Sequence, residues 1–296
     1  MINADKNNLR HVCMDLTKRI HQYTRGAWTF DVIDSGPIDG PLVVLLHGFP
    51  ETAHSWEQTS ELLHQHQFRT LAIHQRGYSL NARPQSRFQY SLSELVEDVA
   101  SFIEQLGQSV YLIGHDWGSA IASGVAMKYP QYVQHLTLVS VPHQAAFLKA
   151  CLSSRQLFKS YYFAIFQLPI LPELLFKKIP KLGRKFLKSS GMTEEQIAIF
   201  EAEFIEENRL TTALNWYRGF FWDKPQNPFK AIDVPTLFIW GKHDIAVTEK
   251  SAELNSHYFK NSYEAVFMDA SHWIPYQNAP ELVQYFLESI SEKIMI

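Results

Sequence analysis

VYLIGHDWGSAIASGVA, residues 110–126, is the stretch of sequence that decides the fold. An apolar run, Val110 to Ile113, passes directly into Gly-His-Asp-Trp-Gly and then into small residues typical of a closely packed helix. Asp116 therefore stands at a tight strand-to-helix turn, the nucleophile-elbow pattern, where Ser or Cys is often found. Gly114 and Gly118 fit this interpretation because a Cβ at either position would clash where the two elements approach. We expect Asp116 to have strained backbone geometry and to project above the carboxyl edge of the sheet, where ligands of open α/β sheets bind.

Three further segments stand where a nucleophile at this turn needs partners. Phe49 lies in His-Gly-Phe-Pro directly after the apolar run LVVLL, so its N–H and that of Trp117 can form an oxyanion hole. Asp244 follows the apolar run PTLFIW, and His272 lies in the loop before the last helix. Alone, each of these residues could be a turn or capping residue. Together they follow the order nucleophile, acid, histidine, which predicts a catalytic triad of Asp116, Asp244 and His272.

Short apolar runs alternate with amphipathic segments through the first half of the chain. The runs at 42–46, 70–73, 110–113 and 136–140 have the length and aliphatic content of buried parallel strands. Trp28 to Asp34 is a candidate antiparallel edge strand. Ser91 and Gly107 have the capping properties expected at the two ends of a helix with one apolar face.

The alternation stops at about residue 144 and resumes near residue 235. The intervening segment is rich in aromatic residues, is mostly helical in pattern and contains no convincing strand. Strand–helix alternation interrupted in this way predicts an α/β core, residues 1–143 and 227–296, that carries an inserted all-helical cap, residues 144–226.

Composition limits the class of protein and of partner. The 296 residues, 46% of them hydrophobic, are enough for one large core with an insertion. A net charge of −3 gives no general attraction to nucleic acid. Cys13 and Cys151 fit free thiols in a reducing compartment, and the polar start MINADKNNLRH lacks the apolar run of a secretory signal. We expect a cytoplasmic monomer or homodimer with no metal and no cofactor.

We expect no membrane association. The most apolar run, Phe163 to Phe176, is interrupted by prolines and is shorter than the ~20 residues needed to cross a bilayer. Basic residues between Lys177 and Lys188 could bind a membrane surface, but an acidic stretch from Glu194 to Glu207 follows them and offers local pairing. A solvated face of the cap is the better interpretation.

Taken together, the motifs resemble those of the α/β-hydrolase superfamily over nearly the whole chain, and most of all those of its epoxide hydrolase branch. The resemblance rests on HGFPE (47–51), QRGYS (75–79), GHDWGS (114–119) and SVPH (140–143). It implies a mostly parallel eight-stranded sheet flanked by helices, with the helical cap inserted. One departure is His74, where many members of the branch have an acid before QRGYS. We expect that position to lie at a strand end away from the nucleophile.

Two cap tyrosines stand in contexts similar to those of the ring-opening tyrosines of epoxide hydrolases. Tyr162 precedes Phe-Gln-Leu-Pro (166–169), and Tyr217 lies in Asn-Trp-Tyr-Arg (215–218). The resemblance implies that these phenols, protonated at neutral pH, donate hydrogen bonds to the oxygen of an opening epoxide. A tyrosine in so aromatic a segment is more often a packing residue. Tyr161, next to Tyr162, is an alternative first donor.

An aspartate in place of serine changes the substrate that the site favours. With a reference pKa of ~3.9 it is already an anion at neutral pH, and it attacks saturated carbon that carries a leaving group. The product is an alkyl ester of Asp116, which water hydrolyses after activation by His272 and Asp244. We therefore predict an apolar small-molecule epoxide as the substrate. The expected pocket residues are His47, Pro50, Trp117 and Trp273.

Two other functions stay open on the sequence. A haloalkane or haloacid dehalogenase would use the same nucleophile, and the indoles of Trp117 and Trp216 could hold the halide. However, Phe49 stands where haloalkane dehalogenases typically have a halide donor, and Trp117 stands where fluoroacetate dehalogenases usually have arginine. A receptor that keeps the fold without turnover is the third possibility, and the complete triad argues against it.

Overall fold

Eight strands form one sheet in the computed structural model, which describes residues 13–222 and 228–291. The strands are β1 (Gln22–Arg25), β2 (Trp28–Ser35), β3 (Leu42–Leu46), β4 (Arg69–Ile73), β5 (Val110–His115), β6 (Val133–Val139), β7 (Thr236–Gly241) and β8 (Tyr263–Met268). Their spatial order is β1-β2-β4-β3-β5-β6-β7-β8. The pairs β1–β2 and β2–β4 are antiparallel and the others are parallel. This is the mostly parallel eight-stranded sheet that the resemblance implies. The candidate edge strand is second in the sheet because β1, which sequence reasoning did not predict, pairs with it.

Apolar packing covers both faces of the central strands. In β3, Leu42, Val44 and Leu46 belong to one buried apolar cluster, whereas Val43 and Leu45 belong to a second. Successive side chains of a strand point to opposite faces, so a strand covered on both sides must be apolar at every position. This is why β3 has the continuous sequence LVVLL.

Helices flank the sheet. They are α1 (Glu57–Gln65), α2 (Leu92–Leu106), α3 (Trp117–Lys128), α4 (Gln144–Ser153), α5 (Gln156–Lys159), α6 (Tyr161–Gln167), α7 (Leu171–Lys178), α8 (Pro180–Ser189), α9 (Glu194–Phe200), α10 (Leu210–Phe220), α11 (Glu249–Glu253), α12 (Ile274–Gln277) and α13 (Ala279–Ser291). The helix α2 begins and ends as its sequence predicts. The Ser91 side chain accepts from the Glu94 N–H, and Gly107 ends the helix with a φ of 71°.

The helices α4 to α10 lie between β6 and β7, and we call them the helical insertion. A π-helical turn, Glu201–Glu206, continues α9. The Trp216 indole N–H donates to the Arg76 carbonyl at 2.8 Å and so ties the insertion to the loop after β4. The division into a core and a cap stays a prediction, and its boundary at residues 226 and 227 lies outside the described residues. The polar start of the chain, residues 1–11, also lies outside them.

Acidic residues pair with part of the basic cluster of the insertion. Arg184 binds Glu194 and Glu201, and Lys188 binds Glu194 at 2.7 Å. Within residues 13–222 and 228–291, no helix combines the length and the apolar character needed to span a membrane.

Candidate active site

Asp116 lies between the end of β5 and the start of α3, at the turn that the sequence predicts. Its φ of 52° and ψ of −119° are unfavourable for a residue with a side chain, so the surrounding structure must hold the strain. A Cβ on Gly114 would overlap the backbone carbonyl of Gly118, and a Cβ on Gly118 would overlap that of Leu46. The two glycines therefore allow β3, β5 and α3 to approach closely enough to form the turn.

The structure brings Asp116, His272 and Asp244 together. His272 Nδ1 lies 2.6 Å from Asp244 Oδ2, and His272 Nε2 lies 3.5 Å from Asp116 Oδ2. The second oxygen of Asp244, Oδ1, accepts from the N–H groups of Ala246 at 2.7 Å and Val247 at 2.8 Å. Each oxygen of the Asp244 carboxylate thus has a partner, and Oδ2 is directed at the histidine.

The charges of these three residues stabilise one another. Burial raises the pKa of the Asp116 carboxyl, but the hydrogen bond and charge of His272 outweigh burial and hold this pKa below its ordinary value. Burial lowers the pKa of His272, but the Asp244 and Asp116 carboxylates outweigh burial and raise this pKa to about 10. At neutral pH the resting site therefore holds an imidazolium between two carboxylates.

The Phe49 N–H donates to Asp116 Oδ1 at 2.9 Å. Gly48 permits this approach because a Cβ at that position would lie 2.6 Å from the same oxygen. Trp117 is the first residue of α3, where main-chain N–H groups have no partner within the helix. It stays a prediction that the Trp117 N–H is the second donor of an oxyanion hole.

His115 links the elbow to the loop that carries His272. Its Nε2 donates to the His272 backbone carbonyl at 2.9 Å, and its Nδ1 lies 2.8 Å from Glu51 Oε2. The Ser140 hydroxyl donates to the same carbonyl at 2.8 Å, so two donors hold the backbone of His272. Sequence reasoning assigned no role to Glu51. The only signal was a carboxylate at the end of the motif HGFPE.

Two cavities open onto Asp116. The first has a volume of about 410 Å³, and its lining includes His272, Trp273, Tyr162 and Tyr217. The second has a volume of about 530 Å³ and shares Asp116 and Tyr162 with the first. Both volumes are in the range of small-molecule sites, and aromatic and aliphatic side chains form most of the walls. A third cleft, of about 700 Å³, shares Pro50 with the first cavity, is lined by five glutamates among other residues, and does not include Asp116 in its lining.

The two cap tyrosines of the sequence analysis lie side by side in the first cavity, with ring centroids 6.0 Å apart. Burial, together with the negative charge of Asp116, raises the pKa of both Tyr162 and Tyr217 well above 10. Both phenols therefore stay protonated and can donate at neutral pH. Tyr161 also lines the cavity, but it is 56% exposed, which favours Tyr162 as the first donor.

Two residues differ from their predicted roles. Pro50 and Trp273 line the first cavity and Trp117 the second, but His47 lines neither of them. Its ring is fully buried, stacks on Trp216 and lies 3.3 Å from the Gln75 N–H. His47 is therefore a structural residue and not part of the pocket wall. Trp216 cannot hold a halide, since its indole N–H is already bonded to a backbone carbonyl.

This sheet, with an elbow, an acid and a histidine at the carboxyl ends of its strands, defines the α/β-hydrolase class of enzymes. A family model described as alpha/beta hydrolase fold matches residues 41–279. Epoxide hydrolase 2 of Caenorhabditis elegans is 33% identical over 270 residues, which cover 86% of this chain and 75% of that protein. AB hydrolase superfamily protein YfhM of Bacillus subtilis is 31% identical over 276 residues, which cover 90% of this chain and 95% of that protein.

Among solved structures, an epoxide hydrolase from metagenomes of hot environments aligns with a TM-score of 0.75 at 28% identity. The alignment covers 88% of this chain and 94% of that chain. The chain belongs to the α/β-hydrolase superfamily, in its epoxide hydrolase-like branch, and is an enzyme of that kind.

Proposed function

We propose that this enzyme hydrolyses epoxides to vicinal diols through a covalent alkyl ester on Asp116. The observation that carries the proposal is a single cavity lined by a buried carboxylate, a histidine and two protonated tyrosines, of which Tyr217 is buried and Tyr162 partly buried. Relatives named epoxide hydrolases give independent support. Apolar walls favour an apolar substrate.

In the first step, an oxygen of Asp116 attacks a ring carbon and the ring C–O bond breaks. Oδ1 is held by the Phe49 N–H, so Oδ2 is the oxygen that forms the ester and Oδ1 becomes its carbonyl oxygen. The electron pair of the broken bond stays on the ring oxygen, which Tyr162 or Tyr217 protonates. Without these donors the oxygen would leave as a strongly basic alkoxide, so the tyrosines lower the barrier in the transition state.

In the second step, water attacks the carboxyl carbon of the ester. Esterification removes the negative charge of Asp116, one of the causes that raise the pKa of His272 to about 10. The pKa of His272 therefore falls, and the proton it releases replaces the one that the tyrosines gave to the ring oxygen. The neutral imidazole, held by Asp244, then accepts a proton from water. Negative charge collects on Oδ1, where the Phe49 N–H stabilises it. The bond between the carboxyl carbon and Oδ2 then breaks, and Oδ2 leaves as the second hydroxyl of the diol with a proton from His272. The water oxygen stays on Asp116, whose remaining proton passes to His272 and restores the resting charges.

The variant His272→Gln tests the proposal. Intact-protein mass spectrometry after exposure to styrene oxide, cyclohexene oxide or stilbene oxide should find the whole epoxide mass on Asp116, because ring opening loses no atoms. His243→Gln is a matched control, since His243 is exposed and its ring binds Asp269. It should form diol as the wild type does.

The same measurement separates the alternatives. If the protein is a dehalogenase, His272→Gln incubated with bromohexane should carry an adduct with the mass of bromohexane less that of hydrogen bromide. A receptor would give no adduct in the variant and no diol in the wild type. Failure of every epoxide to label His272→Gln would refute the proposed function.

A further inference from the structure

Gln156, on α5 of the helical insertion, is a fully buried polar side chain outside the triad. Its Nε2 donates to the Ala246 carbonyl at 2.7 Å. Its Oε1 accepts from the Thr248 N–H at 2.7 Å and from the Ser251 hydroxyl at 2.9 Å. A carbonyl only accepts and a backbone N–H only donates, so these partners fix the orientation of the carboxamide. Gln156 thus joins the insertion to the loop that carries Asp244.

One peptide unit connects Gln156 to the triad. The Ala246 carbonyl and the Val247 N–H belong to the same planar unit, and they point in opposite directions. The carbonyl accepts from Gln156, whereas the N–H donates to Asp244 Oδ1 at 2.8 Å. Any rotation of this unit that follows loss of the Gln156 bond therefore moves a donor of the Asp244 carboxylate.

A second contact from the same helix holds the backbone of the triad acid. Lys159 Nζ donates to the Asp244 carbonyl at 2.9 Å. The helix α5 thus supports Asp244 twice, at the main chain through Lys159 and at the carboxylate through Gln156 and one peptide. Neither support comes from the sheet that carries the nucleophile.

We propose that Gln156 is a positioning residue for the triad, which holds the 246–247 peptide so that Asp244 keeps His272 aligned for the activation of water. This inference rests on the proposed function, because it concerns the second step. The contacts from Gln156 to the peptide, to Asp244 and to His272 are 2.7, 2.8 and 2.6 Å long. Hydrogen bonds in a buried chain strengthen one another. Gln156 lines neither cavity at Asp116, so formation of the ester does not require it.

Two variants separate the effect of losing the Gln156 amide donor from the effect of changing the size of the side chain. Gln156→Met removes both polar groups at similar length, and Gln156→Glu keeps an acceptor oxygen but loses the amide donor. Rapid-quench mass spectrometry with styrene oxide, or the best epoxide of the panel, measures ester formation and ester hydrolysis separately. We expect hydrolysis to slow by about tenfold to a hundredfold, since a displacement of ~1 Å can cost about a hundredfold. Formation should stay close to the wild-type rate, so the ester should accumulate.

A spectroscopic measurement needs no substrate. The proton between His272 Nδ1 and Asp244 should give a far-downfield proton NMR signal, because the bond is short and charged. Both Gln156 variants should shift or broaden this signal. Ser251→Ala is the matched control: it removes one bond to Gln156 Oε1 but leaves the bond from Nε2 to Ala246. It should leave the signal and both rates close to wild type.

The outcomes distinguish this inference from the proposed function. An equal loss of both steps in the Gln156 variants would overturn it, as would wild-type hydrolysis together with an unchanged NMR signal. If Gln156→Met does not fold, Gln156→Glu carries the same test, because it preserves the volume of the side chain. If wild-type protein never forms an ester or diol, the proposed function is wrong, and the NMR signal still decides whether Gln156 aligns Asp244 with His272.

Discussion

Replacing the tyrosine hydroxyls is the sharpest test of the assigned proton donors. Tyr162→Phe and Tyr217→Phe each remove one oxygen and keep the ring. Ring packing should therefore survive, including the contacts of Tyr217 with Phe49, Phe163 and Phe166 at centroid distances of 4.8 to 5.3 Å. At most about 1 kcal/mol of stability should be lost with each hydroxyl, the usual net value of one hydrogen bond.

The effect on ring opening should be much larger than the effect on stability. Burial and the Asp116 charge keep both phenols protonated, so each can donate to the developing alkoxide at any working pH. Loss of one donor to a developing oxyanion costs about 2.7–4 kcal/mol, or about 10²–10³-fold in rate. The two rings lie 6.0 Å apart and line the same cavity, so their contributions should not add independently. We expect the rate of ester formation to fall about 10²-fold in each single variant, and to fall further in the double variant.

The rate of ester formation should be measured by rapid-quench mass spectrometry in the His272→Gln background, where hydrolysis is blocked. Tyr285→Phe is the control, because Tyr285 packs on α13 against the other face of the sheet. Wild-type ring opening in the double variant would refute the assigned roles. A larger loss in Tyr161→Phe than in Tyr162→Phe would transfer the first role to Tyr161.

Three more predictions concern the triad and the elbow. Asp244→Asn should slow ester hydrolysis by about 10⁴-fold, as loss of the aspartate does in serine proteases, and should spare ester formation; rapid-quench measurement of both steps checks this. Gly118→Ala should destabilise the fold by about 1–3 kcal/mol, because the added Cβ overlaps the backbone of β3; in urea denaturation, Gly124→Ala should lose less stability, because the nearest atoms to its Cβ belong to the Val96 side chain. Burial lowers the pKa of His272, but its carboxylate partners raise it from 6.5 to about 10, so its contribution to stability is complete below pH 6.5 and is lost as the pH rises through about 10. The wild type should therefore lose more unfolding free energy than His272→Gln over that pH range, and an equal loss would contradict the assigned charge state.

The elbow could be predicted from sequence because its backbone restricts the residue type at each position. Gly118 must lack a Cβ since the Leu46 carbonyl occupies that space, and Asp116 must follow a strand and precede a helix. Asp244 was predicted from its place after an apolar run, His272 from its place in the loop before the last helix, and both from chain order. These signals depend on neighbouring residues or on the order of residues along the chain, so they can be recognised in a single sequence.

Contacts between distant polar residues could not be predicted in this way. Glu51 and His115 are 64 residues apart, and Gln156 and Ala246 are 90 apart. Glu and Gln side chains are mostly exposed, and only the fold shows that Glu51 and Gln156 are buried and paired. His47 shows a different failure. It is only two residues from Phe49, but its ring packs against Tyr78 and Trp216, and contacts with such distant residues cannot be recognised from proximity in sequence.

The strand β1 was missed because it gives almost no apolar signal. Only one of its four residues, Tyr23, is buried. A two-stranded antiparallel edge can be stabilised mainly by backbone pairing, here between Gln22–Arg25 and Trp28–Asp31. Such pairing leaves little trace in side-chain pattern.

The two proposed steps depend on the helical insertion in different ways. The insertion supplies Tyr162 and Tyr217 to ring opening, and through Gln156 it supports the acid that aligns the base. The nucleophile and the Phe49 N–H belong to the sheet and its loops. Opening an epoxide needs a proton at the leaving oxygen, and hydrolysis of the ester needs an aligned base. A protein with its insertion displaced should therefore fail to open epoxides, and it should hydrolyse slowly any ester already formed on Asp116.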